Sequence, residues 1–113
     1  MKPMILAGLI GLWAGAAAAH SPLEATTPAA DAVIAQVPEV LAFDFKNDIR
    51  LTRVTMTHAD ADGVDLDLSG HDGFMTDYAI PLSEKDDGLY LIEWRGLGVD
   101  GHPMTGSFSF TVQ

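Results

Sequence analysis

The segment LYLIEW (residues 89–94) decides the fold class, together with RGLGVDGHP (95–103) and FSFTV (108–112). LYLIEW is apolar at every position except Glu93, as is typical of a strand with neighbours on both sides. The glycine-rich segment after it predicts a turn, and the alternation in FSFTV predicts a strand with one buried face. The chain is therefore expected to end in two strands separated by a turn.

Short alternations and turns also extend upstream to Pro38. Four segments have apolar residues with a period of two, which predicts these inward faces: Leu41, Phe43 and Phe45; Val54 and Met56; Val64, Leu66 and Leu68; Tyr78, Ile80 and Leu82. Eight aromatic residues of the strand segments are expected in the core: Phe43, Phe45, Phe74, Tyr78, Tyr90, Trp94, Phe108 and Phe110. The pattern predicts one all-β domain, an antiparallel sandwich or Greek-key barrel.

Residues 21–38 form a lead-in rich in proline, alanine and threonine, with no helical stripe. We expect it to be extended, with a turn near Pro28–Asp31. In a sandwich, such a lead-in can run beside the start of the last strand.

The first 19 residues have the features of a cleaved secretory signal. Lys2 supplies a positive charge, residues 4–19 are apolar, and Ala17–Ala19 matches the small-residue cleavage rule. The alternative is a membrane anchor, but this run of 16 residues is shorter than the roughly 20 that a spanning helix needs. We predict a signal peptide over 1–19 and a mature, exported domain over 20–113.

The charge and the missing cysteines restrict the possible functions. The formal charge is −10, and without Lys2 it becomes −11, from 5 basic and 16 acidic side chains. This balance argues against nucleic acid or an anionic membrane surface as partner. Because the chain has no cysteine, a metal would need ligands from His, Asp, Glu, Met or the backbone.

His20 would be the first residue of the mature chain. Its free α-amine and its imidazole Nδ1 can close a six-membered chelate ring on one metal ion, once the amine has released its proton. The alternative is that His20 merely begins a disordered terminus, as is common at chain ends.

Asp100 and His102 lie two residues apart in the bend before the last strand. In an extended or bent segment these positions project to the same side, which aims the carboxylate and the imidazole together. Gly101 between them leaves space, and Pro103 fixes the backbone that follows. The alternative is a surface turn with incidental polar residues, because Asp-Gly is a common turn dipeptide.

The two ends of the mature chain would together supply three nitrogens and one oxygen. Such donors in a square arrangement suit Cu(II) or Ni(II), and Cu(II) has the highest affinity of the divalent series. Zinc would prefer a tetrahedron.

Three segments of the chain resemble the CopC family of periplasmic copper-resistance proteins. Residues 88–112 are similar to its C-terminal signature, in which a tyrosine strand leads into W-R, a short loop, D-G-H-P and G-x-F-x-F-x-V. HSPLEATTPAADAVI (20–34) resembles the mature start of the family, and PEVLAFDF (38–45) resembles one of its strands.

This resemblance implies a fold and a ligand set. The fold would be an immunoglobulin-like β-sandwich with cupredoxin-like Greek-key topology. The metal would be one Cu(II) per chain, bound by His20, Asp100 and His102.

The chain also departs from some members of that family. Where some carry a glutamate near the copper, this chain has Asn47, which is not expected to be a ligand. Other members have a methionine-rich loop that binds Cu(I). In this chain Met56 follows the inward alternation of its segment, so it is predicted to be a core residue. Met104 follows the D-G-H-P turn and is expected to pack, the alternative being a position near the copper. His71 is expected in a surface loop.

The resemblance implies a periplasmic, monomeric carrier that sequesters Cu(II) or passes it to a CopD-type inner-membrane protein, and not an enzyme. One alternative is a copper monooxygenase with an N-terminal histidine. Residues 20–113 leave little room for its substrate face, and Asp100 would fill a position that such enzymes keep open. A second alternative is a metal-free interaction domain.

Overall fold

Seven β-strands follow one another in residues 22–113, the part of the chain that the computed structural model describes. They are β1 (Leu23–Thr27), β2 (Val33–Ile34), β3 (Val40–His58), β4 (Val64–Asp65), β5 (Met75–Pro81), β6 (Gly88–Gly98) and β7 (Pro103–Val112). Within this range no helix is long and apolar enough to cross a membrane. The predicted signal peptide and His20 lie outside the described residues.

The 19-residue strand β3 changes its neighbours part-way along its length. Residues 42–45 pair with β1, and residues 40–44 and Ile49 pair with β5, whereas residues 49–58 pair with β6 and residues 55–56 pair with β4. Strand β7 follows β6, and β2 lies parallel to the end of β7. One strand therefore contributes to both layers of an all-β structure.

Aromatic side chains fill the space between the layers. Phe43 contacts Phe108 edge-on with ring centroids 5.8 Å apart, and Phe45 contacts Trp94 in the same way at 5.2 Å. These contacts join the first half of β3 to β7 and β6, so the sheet is folded over on itself. The predicted all-β, sandwich-like fold is confirmed, and seven of the eight aromatic residues expected in the core are buried: Phe43, Phe45, Tyr78, Tyr90, Trp94, Phe108 and Phe110.

Two predictions about buried residues are wrong. Phe74 is 44% exposed, because it precedes β5 at the end of a loop instead of lying within a strand. Val64 is 57% exposed, because only Val64–Asp65 of the predicted strand pairs with β3, at its edge. Leu66 and Leu68, after this short pairing, are partly buried against the core.

The lead-in pairs mainly with a strand other than the last one. β1 is antiparallel to β3, and only Val33–Ile34 pairs with the end of β7. β1 does face β7 across a groove of about 400 Å³ whose lining includes Leu23 and Phe108. The turn expected near Pro28–Asp31 is present, and the Ala32 N–H donates to the Ala29 carbonyl within it.

The hydroxyl of Tyr78 holds β3 where its pairing changes. It donates to the Ile49 carbonyl at 2.6 Å and accepts the Leu51 N–H at 3.1 Å, and the ring is buried. The β3–β5 register shifts between Asp44 and Ile49, so Tyr78 on β5 reaches the backbone beyond the irregular segment. A side chain thus satisfies backbone groups at the bend.

Tyr78→Phe should destabilise the fold by about 1–3 kcal/mol, because it leaves a buried N–H and a buried carbonyl unpaired. Urea unfolding followed by circular dichroism measures the loss. Tyr90→Phe is the matched control, since that hydroxyl donates to the Asp86 carbonyl in an exposed loop. An equal cost for both variants would contradict the role of Tyr78 at the bend.

Two carboxylates face each other on the outer surface of the β3–β5 pair. Asp44 lies directly opposite Asp77 in the register. The pKa of Asp44 is raised, first by partial loss of hydration and then by the Asp77 carboxylate. Like charges directly opposite each other destabilise a sheet.

Asp77→Asn should therefore raise the melting temperature at pH 7. A carboxyl whose pKa is higher in the folded state favours folding as the pH falls through that pKa, so wild type should approach the variant in acid. Thermal unfolding at neutral and acidic pH tests this. Asp72→Asn removes the same charge from a loop, and an equal effect of both variants would argue against the cross-strand repulsion.

Candidate metal centre

The predicted ligands Asp100 and His102 lie in the turn that joins β6 to β7. Two backbone hydrogen bonds close this turn, from the Gly98 N–H to the His102 carbonyl (3.0 Å) and from the Gly101 N–H to the Gly98 carbonyl (2.9 Å). Gly101 has φ of +85°, a left-handed conformation in which a Cβ would be strained. Glycine at 101 is thus required by the backbone of the turn.

The turn brings Asp100 and His102 into direct contact. Asp100 Oδ2 lies 2.8 Å from His102 Nδ1, and Asp100 Oδ1 accepts the backbone N–H of His102 at 3.1 Å. The side chain of Asp100 is 62% exposed and that of His102 is 77% exposed, so an ion from solvent can reach both. The pair offers one oxygen donor and one nitrogen donor side by side.

Each member of the pair stabilises the charged form of the other. The hydrogen bond with His102 lowers the pKa of Asp100, and the hydrogen bond with Asp100 raises the pKa of His102. A metal ion binds the neutral imidazole, so protons compete with metal at this pair.

Gly98 provides the space that the Asp100 carboxylate occupies. A Cβ on residue 98 would lie 3.0 Å from Asp100 Oδ1 and 3.0 Å from Cε of Met104, which is tighter than ordinary contact. The carboxylate and the thioether side chain therefore converge over one glycine. Met104 packs against the core, as expected, and its Cε also lies beside the Asp100–His102 turn.

The start of β1 lies close to the bend of β3. The Lys46 N–H donates to the Pro22 carbonyl at 2.9 Å, and Leu23 pairs with Phe45. Farther along β3, Ile49 pairs with Gly98, where the turn begins. The beginning of the described chain and the Asp100–His102 turn are therefore both anchored near the same bend.

The other two histidines of residues 22–113 lie elsewhere. His58 stacks on Tyr90 with ring centroids 4.4 Å apart, at the end of the β3–β6 pairing remote from Gly98. His71 lies in a loop, as predicted, although it is half-buried beside Tyr78. Neither joins the Asp100–His102 pair.

Of the other residues considered as ligands, Met56 confirms its predicted place in the core. Met56 is buried in the core, and Asn47 is exposed in β3. In the described range, 22–113, no three His, Asp or Glu side chains are grouped to hold a metal ion. Asp100 and His102 are the two predicted donors that the described residues bring together.

Comparison with known proteins decides the family. The model of the CopC domain matches residues 23–113. The chain belongs to the CopC family. Copper resistance protein C of Escherichia coli is 25% identical over 130 residues, which cover 99% of this chain and 96% of the relative.

Solved structures agree with this assignment. PcoC, a methionine-rich copper resistance protein from Escherichia coli, is 29% identical with a TM-score of 0.59, covering 84% of this chain and 100% of PcoC. CopC from Methylosinus trichosporium OB3b, at 22% identity, supports the fold alone, with a TM-score of 0.62 over 83% of this chain and 94% of that protein. The chain is thus a member of a family whose named relatives are copper resistance proteins.

In the metal-free protein, Asp100→Asn should lower the pKa of His102 toward its ordinary value, because the amide removes both the negative charge and the charged acceptor. Titration of the imidazole protons by NMR measures the shift. Asp72→Asn, in a different loop, should leave the His102 curve unchanged. If Asp100→Asn also leaves it unchanged, the contact between Asp100 and His102 does not persist in solution.

Proposed function

We propose that the protein is an exported carrier that sequesters or hands on Cu(II) in the periplasm. Cleavage after Ala19 would release residues 20–113 as the mature domain. The observation that carries the proposal is the contact between Asp100 and His102 in the turn of a CopC domain. The copper is the cargo, and we assign its ligands to His20, Asp100 and His102.

The chain end can supply the donors that residues 22–113 lack. His20 is two residues before Pro22, a reach of about 7 Å in an extended chain. Pro22 is hydrogen-bonded at the β3 bend, and Gly98 at the start of the turn pairs with the same part of β3. These positions support an approach of His20 to the Asp100–His102 pair.

The donor set matches Cu(II) chemistry. The amine and imidazole of His20, the imidazole of His102 and an Asp100 oxygen give three nitrogens and one oxygen, a set that suits tetragonal Cu(II). We expect one copper per chain and a tetragonal, nitrogen-rich electron paramagnetic resonance spectrum. A blue-copper spectrum is not expected, because such sites need a cysteine and the chain has none.

The transfer partner follows from the family resemblance alone. A monomeric periplasmic carrier would deliver Cu(II) to a CopD-type inner-membrane protein. The monooxygenase alternative is disfavoured, because the assigned Asp100 ligand occupies a coordination position that oxygen chemistry would need. If the protein is instead a metal-free interaction domain, the purified protein should not bind copper.

Two variants test the ligand assignment by competition with a Cu(II) chelator. His102→Ala should weaken Cu(II) binding, because it removes a nitrogen donor, whereas His71→Ala should not. One Ala added before His20 should lower the affinity by several orders of magnitude, because the amine then sits in the wrong position to close the chelate ring.

The circular dichroism spectra of these proteins should match wild type, since His102 and His71 lie in a turn and a loop outside the strands and the added Ala precedes the domain. Wild-type Cu(II) affinity in the Ala-extended protein would remove His20 from the site. An equal loss in His71→Ala and His102→Ala would mean that the copper lies elsewhere.

A further inference from the structure

The turn presents a third potential donor beside Asp100 and His102, the thioether of Met104. Gly98, Asp100, His102 and Met104 occupy alternate positions in the sequence. The hairpin turn interrupts the extended backbone between them, so their convergence depends on the fold. The β6–β7 register determines which of them meet.

The register opens a path for Met104 toward the turn. Met104 lies directly opposite Gly96 in the β6–β7 ladder, and Gly98 is its diagonal neighbour. Neither glycine has a side chain to block the methionine, which packs partly buried against the core. The thioether can therefore extend along β6 toward the end of the strand.

The contacts at Gly98 show how close the Met104 side chain comes to Asp100. Met104 Cε and Asp100 Oδ1 each lie 3.0 Å from the same point, the position of a Cβ on residue 98. Because each of the two atoms lies 3.0 Å from this point, Met104 Cε and Asp100 Oδ1 are separated by at most twice 3.0 Å. Rotation about the last bonds of an unbranched methionine suffices to bring its sulfur to an ion at the turn.

We propose that Met104 is a copper ligand, and that it serves when the metal is bound as Cu(I). This inference rests on the proposed function, because it assumes that copper binds at the Asp100–His102 turn. A thioether is a soft donor that selects Cu(I), whereas the Asp100 carboxylate is a hard oxygen donor. His102 and Met104 then hold Cu(I).

The consequence is one site that accepts copper in either oxidation state. Cu(II) uses the nitrogen and oxygen donors, and Cu(I) exchanges the carboxylate for the thioether. The position of Met104, half in the core and half at the turn, suits such an exchange. The other two methionines of residues 22–113 are placed differently, Met56 in the core of β3 and Met75 on β5.

X-ray absorption of the mature protein loaded anaerobically with Cu(I) provides the direct test. The chain has no cysteine, so a sulfur atom bound to copper must come from methionine. We expect a sulfur neighbour in the wild-type Cu(I) spectrum and its loss in Met104→Leu, which keeps the volume and the packing of the side chain. A wild-type Cu(I) spectrum without sulfur would overturn the proposal whatever the behaviour of the variant.

Competition with a chromogenic Cu(I) chelator supplies the second measurement. Met104→Leu should bind Cu(I) about tenfold more weakly or worse, a loss of about 1.4 kcal/mol. Its Cu(II) affinity should be unchanged. Met56→Leu, a buried methionine that pairs with Ile92 far along β6 from the turn, should bind both ions as wild type does.

The outcomes separate this inference from the proposed function. Normal Cu(II) binding that depends on His102, with equal Cu(I) affinity in wild type and Met104→Leu, would defeat the role of Met104 alone. Cu(II) binding that is indifferent to His102→Ala would defeat the proposed function itself. If sulfur coordination persists in Met104→Leu, the Cu(I) ligand must be another methionine, which would overturn our assignment.

Discussion

The structure depends on the bend in β3 and on the Tyr78 hydroxyl that satisfies the backbone there. A single strand pairs with β1 and mostly with β5 before the bend and with β6 and β4 after it, while Ile49 beyond the bend still pairs with Met75 of β5. Without the bend, Phe43 and Phe45 would not face Phe108 and Trp94, and the aromatic core would not close. Because Ile49 and Leu51 hydrogen-bond to Tyr78, the change of layer costs few unpaired buried groups.

The same bend holds the start of β1 and the Asp100–His102 turn near one part of β3. Pro22 at the start of β1 and Gly98 at the end of β6 are both attached to this part of β3. The turn after Gly98 is held by its own backbone hydrogen bonds, so its donors are presented on a rigid support. A site shared between this turn and the chain end would therefore form only after the sheet has folded over, which couples cargo binding to the completed fold.

Local patterns in the sequence predicted the features that depend on local geometry. Period-two alternation identified the buried faces of β3, β5 and β7, and the apolar run at residues 89–94 identified β6 as a strand with neighbours on both sides. The two-residue spacing identified the Asp100–His102 contact. Val64 and Phe74 were misplaced because alternation and aromatic character do not show whether a segment finds a pairing partner. The approach of Met104 to Asp100 depends on the register opposite Gly96, which the sequence does not specify locally.

A crystal structure of the copper-loaded protein, purified from the periplasm with its natural N-terminus, is the most direct test of the central claim. The account predicts a chain that begins at His20 and one Cu(II), bound by the amine and imidazole of His20, by His102 and by an Asp100 oxygen. Copper bound away from the Asp100–His102 turn, or bound there without His20, would contradict it.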